Sequence, residues 1–577
     1  MKVADLFCGA GGFSEGFRQA GFDVVLGLDD WEPAIRTHAL NHPEAHHIQT
    51  DIEELETVED IDEAIPEVDV IVGGPPCVSF SKANKGGNGD TSEGLNLIER
   101  FLRVVAWKKH NADLRYWCME NVPSAEKHIE ERYTSEDLDL PDEVPDLEIP
   151  EPQRVVYNSA KFGVPQERKR VIIGEYPIPE GDLEEEDWVT VEDVFTALGV
   201  PLEPEQTEVV EDPLYDLELP LDEVTDHFYD TRIEEYKWKQ ARRLKQDHGY
   251  YGTMSFPEET DRPSRTVLAT RTAFTREAMI FDAENDIEEG DGAYRLPTVR
   301  EIACFMSYPI TYQFEGGSES RKFKLVGNSV PPLLARAIAE EIKEAEGTAL
   351  TERGPKHDVP DPELDLTQKP EEEREFKEPT KRQGKKFAWH VPHLKHRAFR
   401  PVLTNEDSSF DEEEYEWDAV LHKGIGQGME TYRTDKDEIR EMIEERPVTV
   451  VDDDEQTSLY QGEVRERFDR FTTDLEQALL EELPDADRFQ EVFVNRGHGD
   501  AMGPHEALEV TRELLDEHFP EDPFRDCGVD NEERTFELPD DEIPVRILVG
   551  FFACQFIADI VERGGYREEV EGRMVEN

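Results

Sequence analysis

A thiol, a carboxyl group and two guanidinium groups stand at the ends of short apolar runs in the first third of the chain. Cys77 follows the apolar run in VDVIVGGPPCVSFS, Glu120 stands near the end of YWCMEN, and Gln166, Arg168 and Arg170 alternate through FGVPQERKRVIIG. A thiolate is the strongest nucleophile among the side chains, which makes Cys77 a candidate for covalent addition to an electron-poor substrate. Glu120 is the matching proton donor or acceptor, and an arginine, Arg168 in the first instance, would favour the reactive thiolate. A free cysteine is otherwise a small buried hydrophobe. The position of Cys77 argues against that role: Gly73-Gly74-Pro75-Pro76 ends a strand and puts the thiol at the carboxyl edge of a sheet, where open α/β folds bind ligands.

A second group has the spacing of a nucleotide-like site. The run MKVADLF leads into CGAGGFSEGF, where Gly9, Gly11 and Gly12 permit a tight strand-to-helix turn with helix-start amides facing a ligand. About 20 residues further on, Asp29 in GLDD ends a second run, where a carboxylate meets ribose hydroxyls. Asp51 in IQTDIEEL ends a third. Either aspartate by itself is as readily a helix cap.

These residues need a scaffold, and the periodicity predicts one. Val3 to Phe7, Val24 to Leu28 and Val68 to Val72 are short strand-like runs, each followed by a helical period, so a doubly wound, mostly parallel α/β sheet is expected over 1–175. Tyr116 to Met119 and Val171 to Gly174 read as further strands, and the acidic, proline-rich stretch 135–153 as an exposed insertion. Residues 176–290 lose the α/β rhythm. Core-like pattern returns over 291–347, where Pro332 opens the helix PPLLARAIAEEI. Residues 348–376 read as a linker, and 377–577 as a mainly helical accessory domain.

Of 577 residues, 135 are acidic and 63 basic, a formal net charge of -72. With 37% hydrophobic residues in periodic segments, this reads as a surface adapted to high salt rather than as disorder. At molar salt the Debye length is about 3 Å, so local basic patches can still meet a polyanion. The six cysteines form no CxxC pair, so neither a structural metal nor a disulfide framework is expected, and a reducing cytoplasm fits. The N-terminus lacks the features of a signal peptide, and Arg546, Gln555 and Asp559 interrupt the apolar segment 545–561, so no membrane attachment is expected.

In order along the chain, DLFCGAGGFSEGF, GGPPCVSFS, MENVPS, PQERKR, LPTVREIACFMSYP and VGNSVPP resemble the motifs of DNA cytosine-5 methyltransferases, over residues 1–345. The resemblance implies a class I methyltransferase (Rossmann-like) fold, S-adenosylmethionine as cofactor and double-stranded DNA as substrate. Phe7, Gly9, Gly11, Gly12 and Pro76 would lie against the cofactor, Asp29 would hold its ribose and Asp51 its adenine amino group, and Asn328 would close the pocket. Cys77 would add to carbon 6 of cytosine while a protonated Glu120 meets ring nitrogen 3. The activated carbon 5 would take the methyl group, and loss of its proton with elimination of Cys77 would release 5-methylcytosine. The base would be flipped out of the duplex, with residues 80–92, Ser81 among them, closing over it. Where the family has glutamine after the cysteine, this chain has Val78.

By the same resemblance, 176–290 is the target-recognition region. Its stretch YKWKQARRLKQDHGYYGT gathers Lys237, Lys239, Arg242, Arg243 and Lys245 beside Trp238 and Tyr250. Lys237, Arg242 and Arg243 are expected on phosphates, with Ser81 and Gln166 as further nucleic-acid contacts. A second basic and aromatic stretch, 377–401, holds Lys385, Lys386, Arg397 and Trp389; it is an auxiliary DNA contact or a seam paired with acidic neighbours. A tRNA methyltransferase of the same architecture and a catalytically silent DNA-binding regulator are the alternatives. Intact Cys77, Glu120, Arg168 and Arg170 argue against the second. A nicotinamide dehydrogenase shares the glycines and the strand-end aspartate but requires none of the later motifs. The expected setting is a restriction or defence system or a solitary methylase, acting as a monomer on DNA.

Overall fold

Short runs of Val, Ile and Leu, buried on both faces in the central strands, form the middle of a seven-stranded sheet. Burial of that kind belongs to parallel strands covered by helices. The strands are β1 (Lys2–Leu6), β2 (Asp23–Asp29), β3 (His46–Gln49), β4 (Val70–Gly73), β5 (Tyr116–Asn121), β6 (Arg154–Asn158) and β7 (Lys169–Glu175), in spatial order β3-β2-β1-β4-β5-β7-β6. The pairs from β3 through β5 are parallel, and β7 runs antiparallel to both β5 and β6. This is the expected doubly wound sheet. Its winding reverses between β1 and β4, where ligands of such folds bind.

The computed structural model describes the chain apart from residues 77–91, 203–207, 247–252, 284, 286, 288, 349–352, 369–375, 378–385, 393, 395–398, 411–413, 424–429, 446–447, 453–454, 460, 496–500, 521–523, 526–542 and 565–577. Two units emerge: Met1–Ala241 with Ser255–Glu375, and Arg242–Met254 with Phe376–Asn577.

In the first unit the helices are α1 (Gly12–Gln19), α2 (Glu32–Asn41), α3 (Val58–Ala64), α4 (Ser92–Asn111), α5 (Val191–Leu198), α6 (Glu235–Gln246, of which the residues from 242 on belong to the second unit), α7 (Val299–Phe305), α8 (Glu319–Gly327) and α9 (Pro332–Ala345). Reciprocal capping boxes start α3, α5 and α7, satisfying amides that the first turn leaves open. One face of the sheet packs Val3, Val70, Val72 and Ile172 against Phe17 of α1 and Leu334, Ile338 and Ile342 of α9. The other packs Ala4, Leu6, Ile71 and Trp117 against Ile61 of α3 and Phe101 and Val105 of α4. Gly16 lets α1 and α9 touch, since a Cβ there would stand 2.4 Å from the Pro332 carbonyl oxygen.

Two expectations are corrected. The stretch 135–153 is no exposed insertion: Leu138, Leu140, Val144, Leu147 and Ile149 are buried in the sheet's core, and only the residues between them turn outward. Part of the expected linker is equally bound. The Arg353 amide donates to the Gln19 carbonyl at 2.9 Å, the Lys356 ammonium to the Asn41 carbonyl at 2.8 Å, and the Glu363 amide to Glu315 Oε1 at 2.8 Å. Leu366 is fully buried beside Asp226, whose carboxylate accepts the Leu366 amide at 3.1 Å. Charge and proline suggested a spacer, but the apolar and hydrogen-bonding groups between them find partners on α1, α2 and the segment before α8.

The second unit carries the expected helices, α10 (Lys436–Glu445), α11 (Gln461–Leu479), α12 (Ala486–Val494), α13 (Pro504–His518) and α14 (Val545–Glu562). It also has an antiparallel sheet that the sequence reading did not register, β8 (Ala388–His390), β9 (Phe399–Thr404), β10 (Asp418–Lys423) and β11 (Glu430–Tyr432). Its strands are short and interrupted by charge, so alternation is weak. The apolar stretch 545–561 is α14, buried on all sides as the centre of this unit. Among the described residues no helix is long and apolar enough to cross a membrane.

Lys322 and Asp226 are both wholly buried, with the ammonium 2.6 and 2.9 Å from the two carboxylate oxygens and also bonded to the Leu364 carbonyl. Lys322→Ala leaves the carboxylate buried and uncompensated, and a urea titration should show the first unit destabilised by about 3–5 kcal/mol.

Candidate active site

The chain leaves β1 through a left-handed turn, with φ of 58° at Phe7, 53° at Gly9 and 86° at Gly11. Glycine takes this conformation freely, whereas a phenylalanine held there stores strain of the kind found at ligand sites. The Gly9 amide donates to Asp29 Oδ2 at 2.8 Å and the Cys8 amide to the Leu28 carbonyl at 3.0 Å, which pins the turn to β2. Gly11 and Gly12 are closed in from behind: a Cβ would stand 2.5 Å from Tyr312 Oη at Gly11 and 1.9 Å from the Val330 carbonyl oxygen at Gly12. Gly9 is the opposite case. A Cβ there would meet nothing nearer than the Phe7 carbonyl oxygen at 4.0 Å, so the turn has an open cradle above Gly9.

Around that cradle lie the ends of neighbouring strands. Asp29 was expected to hold ribose, but its two oxygens accept the Gly9 and Trp31 amides at 2.8 and 2.9 Å, and burial pushes its carboxyl up to about 6. It fastens the turn. Asp30, which the sequence reading passed over, is exposed next to it, followed by Trp31 with the Lys324 ammonium 4.5 Å from the ring centroid. The DD doublet could not by itself say which carboxylate points outward. Asp51 uses Oδ1 to cap the Glu53 amide at 3.0 Å, and Pro76 and Asn328 are exposed. The open cradle, its strained aromatic neighbour and the strand-end carboxylates have the polar and apolar groups that S-adenosylmethionine requires.

The catalytic candidates separate into two kinds. The register between β5 and β7 sets Val171 opposite Asn121, and Arg170 Nε comes to 2.8 Å from Glu120 Oε1. Asn121 Nδ2 donates to the Pro75 carbonyl at 3.2 Å, and Gly74 lies beside Glu120, so the chain running into residue 77 is tied to this strand end. Cys77 itself, with Val78, Ser81 and the expected closing loop, lies outside the described residues. Arg168 has a bracing role as well: its guanidinium donates to the carbonyls of Val267, Gly327 and Ser329 at 3.1–3.2 Å, tying two distant segments to its own. Gln166 is fully buried, its amide nitrogen 3.2 Å from the Phe305 carbonyl oxygen and its Oε1 accepting the Val267 amide at 2.9 Å. In this structure it is a fastener, with no surface exposed.

The basic stretch is also partly structural. Trp238 is core, packed with Ile233, Ala241 and Ile280. Lys237 pairs with Glu234 at 2.7 Å and Lys239 with Glu235 at 2.9 Å. Arg242 is exposed, with Nε 3.3 Å from Gln246 Oε1. Within the second unit the Arg243 guanidinium lies 5.3 Å from the Trp389 ring centroid, which joins the two basic stretches, and Lys386 is exposed. Lys385, Arg397 and Tyr250 lie outside the described residues.

The description "C-5 cytosine-specific DNA methylase" belongs to a family model that matches residues 1–344. The type II methyltransferase M.AgeI of Thalassovita gelatinovora is 28% identical over 455 residues, covering 60% of this chain and 100% of that protein. The type II methyltransferase M.NgoPII of Neisseria gonorrhoeae is 28% identical over 358 residues, covering 59% and 95%. The solved structure of the Entamoeba histolytica methyltransferase EhMeth aligns at 12% identity and a TM-score of 0.37, covering 60% of this chain and 98% of that one. A cradle for a nucleoside-like cofactor and an acid-arginine pair on one sheet edge had already narrowed the chemistry, and the family match over residues 1–344 completes it: the chain belongs to the C-5 cytosine-specific DNA methylases, enzymes that move the methyl group of S-adenosylmethionine to carbon 5 of cytosine in DNA.

Proposed function

We propose that the first unit methylates duplex DNA through a covalent adduct of Cys77 on a flipped cytosine. The observation that carries this reading is the Glu120–Arg170 pair at the strand end to which the segment leading into Cys77 is tied. Carbon 5 of cytosine is a poor nucleophile until a thiolate adds at carbon 6 and pushes electrons toward ring nitrogen 3. Glu120 donates the proton that nitrogen 3 then takes, and Arg170 orients the Glu120 carboxyl group and supplies the positive field for the thiolate. S-adenosylmethionine supplies an electrophilic methyl group. Loss of the carbon 5 proton to a water molecule lets the carbon 6–sulfur bond break, Cys77 leaves as the thiolate with its electron pair restored, and the nitrogen 3 proton returns to Glu120.

In this reading Phe7 and the turn at Gly9, Gly11 and Gly12 receive the cofactor, Asp30 replaces Asp29 at the ribose, Asp51 meets the adenine amino group, and Pro76 and Asn328 form the rim. Gln166 and Arg168 hold Val267, so the proposed recognition region, 176–290, is fastened to the catalytic strand. Residues 291–347 return to the core, and 377–577 add an accessory unit in which Lys385 and Lys386 contact phosphate, alongside Arg242 and Arg243 of the basic stretch before it. A type II restriction–modification setting follows the naming of M.AgeI and M.NgoPII, with a cognate restriction protein as partner, a single chain on DNA and a reducing cytoplasm as its surroundings.

Three outcomes test this. With labelled cofactor in molar potassium chloride, wild type should methylate duplex DNA and not tRNA, and Cys77→Ser should abolish transfer; transfer to tRNA alone would move the substrate to RNA. Glu120→Gln should lower kcat by about 10²–10⁴-fold while leaving DNA affinity within a few-fold. Lys385→Ala with Lys386→Ala should flatten the dependence of log affinity on log salt by about 0.9 per lost phosphate contact, and an unchanged slope would remove the accessory unit from the interface.

A further inference from the structure

Beneath the glycine turn runs a polar chain that the mechanism does not use. His38 of α2 is fully buried, and its ring fills space left by two glycines: a Cβ at Gly27 of β2 would stand 2.7 Å from His38 Cε1, and one at Gly11 3.2 Å from His38 Cδ2. His38 Nε2 lies 2.8 Å from Ser14 Oγ, and His38 Nδ1 lies 3.0 Å from His47 Nε2. Ser14, in the first turn of α1, donates through both its hydroxyl (2.7 Å) and its amide (3.1 Å) to Oδ2 of Asp5 in β1. Four elements are thus linked through side chains: β1, α1, α2 and β3.

Burial raises the Asp5 carboxyl to about 7, and above that pH the chain has one direction, with the ionised Oδ2 accepting both the Ser14 amide and the Ser14 hydroxyl. Ser14 Oγ then has only lone pairs left for His38, so His38 carries its proton on Nε2 and accepts from His47 through Nδ1. Burial keeps the His38 imidazole neutral by pushing its pKa down to about 3, and the tautomer it then takes is set by its bond to Ser14 Oγ. A neutral donor at Nε2 is what the site requires, and size alone does not meet the requirement.

We propose that His38 is a positioning residue for S-adenosylmethionine, setting the pitch of the first turn of α1 through Ser14 and backing Gly11, so that the cradle over Gly9 keeps its open form. This rests on the assignment of that cradle to the cofactor. Without the donor, Ser14 Oγ keeps a buried lone pair unmet and the turn is free to relax into the space behind Gly11.

The test uses the full-length protein in molar potassium chloride, with S-adenosylhomocysteine binding measured by calorimetry and cofactor KM and kcat measured separately. His38→Met, close in volume but without a donor, should weaken S-adenosylhomocysteine binding and raise the cofactor KM by about tenfold with kcat and DNA affinity little changed. His38→Gln, whose amide offers a donor, should recover binding to within about threefold of wild type. Should His38→Met fail to fold, Ser14→Ala removes the same link with a smaller change and should give the same loss. Tight binding by His38→Met, or by Ser14→Ala where that variant stands in for it, would overturn the inference, and so would a His38→Gln variant as weak as His38→Met. Gly9→Val separates the two readings: it should abolish S-adenosylhomocysteine binding, and retention would mean that the cradle, and with it the role of His38, had been wrongly assigned.

Discussion

The backbone contact between the start of α1 and the stretch before α9 is the constraint on which the catalytic unit depends. Gly12 is packed so closely on the Val330 carbonyl that even a methyl group would collide with backbone, which cannot swing aside as a side chain could. That contact closes the back of the glycine turn, leaves Gly9 as its open face, and brings the exposed end of α8 to the same edge. Two segments from opposite ends of the unit thereby make one cradle. Asp29 and Tyr312 complete the arrangement, since the Asp29 carboxylate accepts the Gly9 amide and Tyr312 Oη donates to the Ala10 carbonyl at 2.5 Å.

Much of the rest is held by guanidinium groups on carbonyl oxygens. Arg168 braces Val267, Gly327 and Ser329; Arg300, wholly buried, braces Thr225, Pro309 and Tyr312; Arg103 reaches Leu55 and Glu56. A planar fork with five donors suits several carbonyls at once, as an ammonium on a flexible stem does not. In a chain with 135 acidic and 63 basic residues, arginines used in this way are withdrawn from the surface, which sharpens the acidity outside. Contact with DNA then depends on a few local cations, because repulsion between two polyanions acts over about 8 Å at physiological ionic strength and much less at molar salt.

Linear order and spacing determined a good deal. The alternation of β-branched runs with helical periods specified a doubly wound sheet, because the alternation reflects the burial of each strand between helices, and the ordered motifs specified the chemistry. Glu120 and Arg170 could be named from a strand-end position and a period-two pattern. What the spacing could not decide was which member of a local pair faces the site. Asp29 and Asp30 are adjacent, and Arg168 and Arg170 share a strand face; only the packed structure shows that Asp29 and Arg168 turn inward to satisfy backbone groups while Asp30 and Arg170 remain at the edge.

The same division explains the segments misread from composition. Acidic and proline-rich stretches at 135–153 and 353–368 look like solvated chain, since charge dominates their composition. Their sparse apolar residues are nevertheless buried, Leu138, Ile149 and Leu366 among them, because burial is decided by the partner surface, and that surface comes from residues far away in sequence. His38 shows the same limit from the opposite side. A histidine on a helix carries no sign of its role until Gly11, Gly27, Ser14 and His47 are seen around it. The sequence by itself determined the fold class and the chemistry, which depend on local periodicity and residue type; the tertiary structure alone decided which polar groups are fasteners and which remain to meet a ligand, because that depends on long-range contacts competing for each donor and acceptor.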